Sequence, residues 1–304
     1  MKKVCYFLLA WTCLGCVSDS NVDPLAELTK RQMEDQTQAA ELSISDDEFY
    51  ALIQSIPSPI QSTALMQALG IEYSENILHT TDKAKEKSSW YSQSANLGIY
   101  GADMGYANLY GENKKSMDYL GTIRDLADKL KVGQFFDLAV IKELIAKKDD
   151  VDGLINASQI NFQKMNDYLQ QQKRGKVSVA MIMGGWIEGL YLSAKVANIN
   201  PTSVELRENV AQQKLSLDAI DMLLKLYSKD EHFIDFKKDF DELVIAFAPV
   251  EILYHKGEIK KYEDSNGNLV VEDTSTSETV IKASDVVNIE KAVLKIRNKL
   301  INLK

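Results

Sequence analysis

The 304-residue chain carries 35 Lys and Arg against 44 Asp and Glu, a formal net charge of −9, with 45% apolar residues, 5 Pro, 3 Cys and 3 His. The apolar fraction excludes a disordered chain, and the few prolines exclude collagen-like or Pro-rich low complexity. The acidic balance argues against nucleic-acid binding, which needs a basic surface to release counterions, and so few His and Cys leave little for a metal centre, so no cofactor is expected.

In chain order, Lys2 and Lys3 precede an uncharged run from Val4 to Gly15. A transmembrane helix takes roughly 20 apolar residues, so this run is too short to be an ordinary span. It has the form of a signal-peptide hydrophobic region and ends in Leu14-Gly15-Cys16. The segment resembles a bacterial lipoprotein signal with its lipobox, apart from Cys13 standing where Leu is usual. The resemblance implies cleavage after Gly15, a diacylglycerol thioether on Cys16 and usually a third, amide-linked chain. Val17 in place of Asp after that Cys implies sorting to the outer membrane. Cys5 and Cys13 leave with the signal, so a mature chain keeps Cys16 alone and forms no internal disulfide; lipidation accounts for the odd thiol. Loss of Lys2 and Lys3 leaves the chain still more acidic. The acyl chains, not charge, would then hold it to the lipid bilayer. The alternative is that residues 1–16 form an uncleaved anchor or a signal with a chance Cys.

Residues 1–15 are thus read as signal peptide, residues 16–44 as lipidated Cys, tether and polar stalk, and residues 45–304 as one helical domain. Asp23-Pro24 suits a helix start within the stalk. Ser45-Asp46-Asp47-Glu48 and Ser58-Pro59-Ile60-Gln61 are capping boxes opening two short helices, the second stopped by Gly70. Apolar spacing of three and four predicts helices over 113–131 (Met117, Leu120, Ile123, Ala127, Leu130), 151–172 (Leu154, Ile155, Phe162, Met165, Leu169) and 202–228 (Leu206, Val210, Leu217, Ile220, Leu224, Tyr227). The last of these opens on a capping box at Thr202–Glu205. Short breaks at 131–134, 147–150, 174–176 and 198–201 imply antiparallel neighbours. Ile259–Tyr262 and Asn268–Glu272 flank Asn266-Gly267, the signature of a β-hairpin over about 257–273, with a polar loop at Thr274–Ser277. Ser284-Asp285 caps a last helix to about Ile301. The fold class expected is all-α: a multi-helix antiparallel bundle with one small β-hairpin near the C-terminus.

Two glycine-rich segments stand out, Ser94–Gly111 and Gly184–Ala197. Gly98, Gly101, Ala102 and Gly105 in the first, and Gly185, Gly189, Ser193 and Ala197 in the second, form stripes of small residues. Each interior Gly costs about 1 kcal/mol against Ala, which points to close packing of these two helices. Tyr100, Asp103, Tyr106, Trp186, Glu188 and Tyr191 decorate the same helices. They are the candidate lining of a ligand pocket in which Asp103 or Glu188 binds a polar group. The simpler reading is a tight helix pair whose polar groups satisfy one another. Catalytic signatures are missing: no H-E-x-x-H, no G-x-S-x-G and no P-loop. Glu251 and His255 would be one turn apart on a helix, a surface pair rather than half a metal site. Asp150–Gly153 lacks both outer ligands of a calcium loop, and Asp264–Gly267 lacks the first, where Tyr262 stands. SIPSPIQ followed by NLGIYGADMGYANLYG is similar to helical lipoproteins of Bacteroidota, a resemblance that brings no activity with it. The expected role is a membrane-tethered, non-enzymatic binding or interaction module at the cell envelope, with an unidentified protein or small-molecule partner. The alternative is a small-ligand-binding lipoprotein whose pocket lies between helices 94–110 and 184–197.

Overall fold

A computed structural model describes residues 44–136, 139, 141–143, 151–263 and 269–304. Cys16, the signal and the stalk before residue 44 lie outside the described residues. So do the break at 147–150 and the turn at 264–268. The described residues belong to one compact unit within Ala40–Lys304.

Both N-terminal capping boxes form. The Ser45 hydroxyl accepts from Glu48 N at 3.2 Å while the Glu48 carboxylate accepts from Ser45 N at 2.8 Å, opening α1 (Asp46–Gln54). Ser58 and Gln61 do the same for α2 (Pro59–Ala68), whose chain reverses at Gly70. The remaining helices follow: α3 (Trp90–Leu109), α4 (Asn113–Lys129), α5 (Val151–Gln171), α6 (Gly175–Ile199), α7 (Val204–Gln212), α8 (Leu217–Leu226), α9 (Glu231–Phe247) and α10 (Ala283–Asn302). The protein is therefore the expected helical bundle.

α6 is its axis. It packs against α2, α3, α5, α7, α8 and α10, and a helix apolar on all sides is stable only when enclosed. By length and composition α6 passes as a membrane span, yet 94% of its apolar window is buried inside the protein. α3, its closest neighbour, is likewise buried along nearly its whole length. The main core gathers Ile99, Ile187, Leu190, Phe240, Leu243, Phe247, Ile289 and Val293, and a second cluster forms where α3, α4, α5 and α6 meet.

The readings of three helices need correction. The helix expected over 202–228 is two helices, because Gln213–Ser216 tighten into a 3-10 turn. That turn carries Gln213 inward, where Oε1 accepts from Trp186 Nε1 at 3.0 Å and Nε2 donates to Ser62 Oγ at 3.3 Å. The cap of α7 is Ser203 alone, accepting from Leu206 N. On α4 the buried stripe runs through Ser116, Tyr119, Leu120, Ile123 and Ala127, which rotates Met117 toward solvent. On α10 the Asp285 carboxylate accepts from Lys282 N at 2.8 Å, so it caps from inside the first turn and Lys282 takes the boundary position.

The hairpin is present and longer than expected. β2 (Ile259–Glu263) pairs antiparallel with β3 (Leu269–Asp273), with Glu263 opposite Leu269. β1 (Glu251–His255) pairs with β4 (Thr276–Val280), which extends the ribbon on the far side of a break at 256–258 and 274–275. Glu258 N donates to Thr274 Oγ1 at 2.8 Å across that break. Glu251 and His255 are therefore on a strand, and Thr276-Ser277 belong to β4 rather than to a loop. His255 instead faces Glu278 across the ladder, Nε2 to Oε2 3.6 Å.

Candidate functional site

The glycines settle how α3 and α6 meet. A Cβ on Gly98 would press into the backbone of Met181 and lie 2.6 Å from Gly185 N, and a Cβ on Gly184 would press into the carbonyl of Ala95. These two positions are where the helix backbones touch, so the close packing read from the sequence is there. The rest of the stripe does other work. Gly105 and Gly189 receive the first turn of α2, through Ile60 and Pro59 respectively, while a Cβ on Gly101 would meet no atom within 4 Å.

Gly101 faces a cleft. Its floor is Gly98, Gly101, Gly105 and Gly185 of the helix pair, and its walls come from α1, the 56–60 segment, α4, α5 and α6, with Ile53, Ile123, Phe162 and Met181 among them. The volume is about 630 Å³, within the roughly 300–1,000 Å³ typical of small-molecule sites. Among the described residues none that lines it is Asp, Glu, Lys, Arg or His, although 26% of the chain is charged. Its polar side chains are neutral: Tyr50, Ser58, Ser158, Trp186, and the amides of Gln54, Gln159, Asn161 and Gln163.

Of the six candidate pocket residues, Trp186 lines this cleft. The others are in the packed interior. Tyr106 accepts from Ser74 N at 3.1 Å and stacks on Tyr73, while Tyr100 donates to Thr80 O at 3.1 Å and stacks on His79. Asp103 and Glu188 are fully buried and share a cation absent from the candidate set, Arg297 of α10. The guanidinium forks onto Glu188 with Nε to Oε2 2.6 Å and Nη2 to Oε1 2.8 Å, donates to Ile77 O at 3.3 Å, and lies 4.2 Å from the Tyr191 ring. Asp103 Oδ2 accepts from His79 N at 3.1 Å. Burial, reinforced by the Glu188 carboxylate, raises Asp103 well above the usual carboxylate range, against the pull of Arg297. Two carboxylates near one guanidinium thus favour the protonated form of Asp103. Closed off from solvent, this cluster ties α3, α6 and α10 together.

The segment that holds His79 is clasped from three sides, since Tyr119 donates to His79 O at 2.8 Å alongside the Asp103 and Tyr100 contacts. Burial, with Arg297 and two lysines nearby, pushes the His79 ring down from 6.5 to about 4. The neutral ring thus adds stability that is fully present above pH 6.5 and is lost as pH falls through about 4. Urea titrations across that interval will show the midpoint dropping in the wild type and dropping less in His79→Gln. Parallel curves for the two would remove His79 as the cause.

Arg297 had a visible signal. It sits beside Ile296 on a stripe of Val286, Ile289, Val293 and Leu300, so a charge falls on an apolar face. A second cation, Lys87, is buried by the end of the same helix, its Nζ donating to Ile301 O at 2.6 Å and Leu303 O at 2.7 Å. It supplies donors to carbonyls that a helix C-terminus leaves open. Among the described residues no group of three or more His, Cys, Asp or Glu is placed to hold a metal ion. No protein-family model, curated protein or solved structure matches this chain.

Proposed function

We propose that this chain is a membrane-tethered, non-enzymatic binding protein of the cell envelope. Acyl chains on Cys16 anchor it in the outer membrane, and the cleft over the Gly98–Gly105 turn of α3 takes up its ligand. The observation that carries this reading is the cleft itself: a cavity of about 630 Å³ with apolar walls, a backbone floor and no charged lining residue among those described. The anchor rests on the lipobox resemblance and on the odd thiol. Each buried CH₂ of an acyl chain contributes roughly 0.8 kcal/mol, so two or three chains make a durable attachment and none makes no attachment.

Cys16→Ser separates the two halves of the proposal. The variant will move from the membrane to the soluble fraction, and the soluble protein will still shift the emission of Nile red, a neutral apolar dye. Continued sedimentation with membranes, or a wild-type N-terminal peptide carrying unmodified Cys16, ends the anchor reading. A soluble folded protein that leaves Nile red in water ends the binding reading.

A protein partner is the second reading, and the ribbon favours it. Ile259, Leu269 and Val271 lie on one face of the β2–β3 ladder by strand alternation, and all three are more than half exposed.

A further inference from the structure

We infer that the cleft selects an uncharged ligand with a hydrocarbon body and one neutral hydrogen-bonding end, and that Gly101 is glycine to leave that ligand room. The inference rests on the reading that the cleft is the binding site, and it names the chemistry of what binds there.

The first observation is electrostatic. A carboxylate, phosphate or ammonium entering the cleft would lose its hydration and find no counter-charge among the described lining residues. Burying an unpaired charge is far more costly than burying a hydroxyl or an ester that keeps a hydrogen bond. The neutral groups for such a bond are present: the amides of Gln54, Gln159 and Gln163 line the cleft and are exposed. Fatty alcohols and acyl esters fit this pattern, whereas free fatty acids and phospholipids do not.

The second observation is steric and independent of the first. Gly101 is in the interior of α3 with helical backbone and no positive φ. Gly98 and Gly105 must be glycine because Met181 and Ile60 press on them; Gly101 has no such neighbour. A glycine in a helix interior weakens the helix, and here nothing in the packing compensates. The volume a side chain would take is cleft volume, so the loss of helix stability goes with space for a ligand.

The test titrates the full chain, loaded with Nile red at neutral pH, with dodecanol, dodecanoate and dodecylammonium. Dodecanol will displace the dye, and both charged homologues will be at least about tenfold weaker. In Gly101→Ala, Gly101→Leu and Gly101→Phe, dye and dodecanol affinity will fall in step with side-chain size, with helicity unchanged by circular dichroism. Gly121→Ala is the control. It replaces an exposed α4 glycine that also has no neighbour within 4 Å and lies outside the cleft lining, and it must bind as the wild type. Displacement by dodecanoate or dodecylammonium as strong as by dodecanol overturns the ligand class and leaves the cleft as a binding site. Dye affinity unmoved by every folded Gly101 variant overturns the cleft as the site, and this inference with it.

Discussion

Arg297→Met is expected to cost about 3–5 kcal/mol of folding stability, the range for removing one partner of a buried ion pair. Glu188 is fully buried and takes both arms of the Arg297 fork. With the guanidinium gone, its carboxylate is left buried without its partner. Arg297→Lys will recover only part of it, because an ammonium lacks the planar fork and the contact with the Tyr191 ring. The double variant Arg297→Met, Glu188→Met removes both charges and will regain most of the loss. Urea unfolding of the two singles and the double measures the coupling directly. A loss below about 1 kcal/mol in Arg297→Met would show that the cluster does not hold α10 to the core.

Asp103 gives the same cluster a second readout with a definite sign. Its folded pKa is raised, so its contribution is complete below the ordinary carboxylate range and is lost as pH rises through the folded value. Asn cannot ionise, so Asp103→Asn will gain on the wild type as pH increases. His79 acts in the opposite direction, losing stability toward acid.

What the sequence disclosed follows from which signals are local. Caps and stripes are set by neighbouring residues, and Ser45, Ser58, the Met165 and Leu169 end of the α5 stripe and the α7–α8 stripe could be read directly, while the Leu154 side chain lies outside the described residues. The closeness of α3 and α6 was also legible, because a run of interior glycines is costly unless something approaches. Which atom approaches is a tertiary fact, and the single stripe proved to serve α6 at Gly98, α2 at Gly105 and open space at Gly101. The polar residues on those helices were identified, but the partner that turns Asp103 and Glu188 into a closed cluster lies 109 positions after Glu188. Only the charge on the apolar face of α10 hinted at it. β1 and β4 carry no comparable signal because no Asn-Gly turn joins them as it joins β2 to β3, and their pairing connects residues far apart in sequence.

The glycines also allow a sharp contrast in stability. Gly98→Ala and Gly184→Ala will each destabilise the protein by about 3 kcal/mol, at the upper end for overpacking a core. The added methyl meets backbone, of Met181 in one case and Ala95 in the other, and a helix backbone cannot turn aside as a side chain can. The two helices must separate along much of their contact, and the core around Ile99 and Ile187 opens with them. Gly101→Ala adds the same methyl to the same helix as Gly98→Ala and is expected to stabilise by up to about 1 kcal/mol, the intrinsic preference for Ala. Both pairs of residues have identical composition before and after, so unfolded-state effects cancel to first order and the difference reports the native contact alone. Thermal unfolding of the three variants side by side checks this. If Gly98→Ala and Gly101→Ala shift the midpoint in the same direction, the backbone contact between α3 and α6 does not govern the fold, and the open space beside Gly101 does not exist in solution.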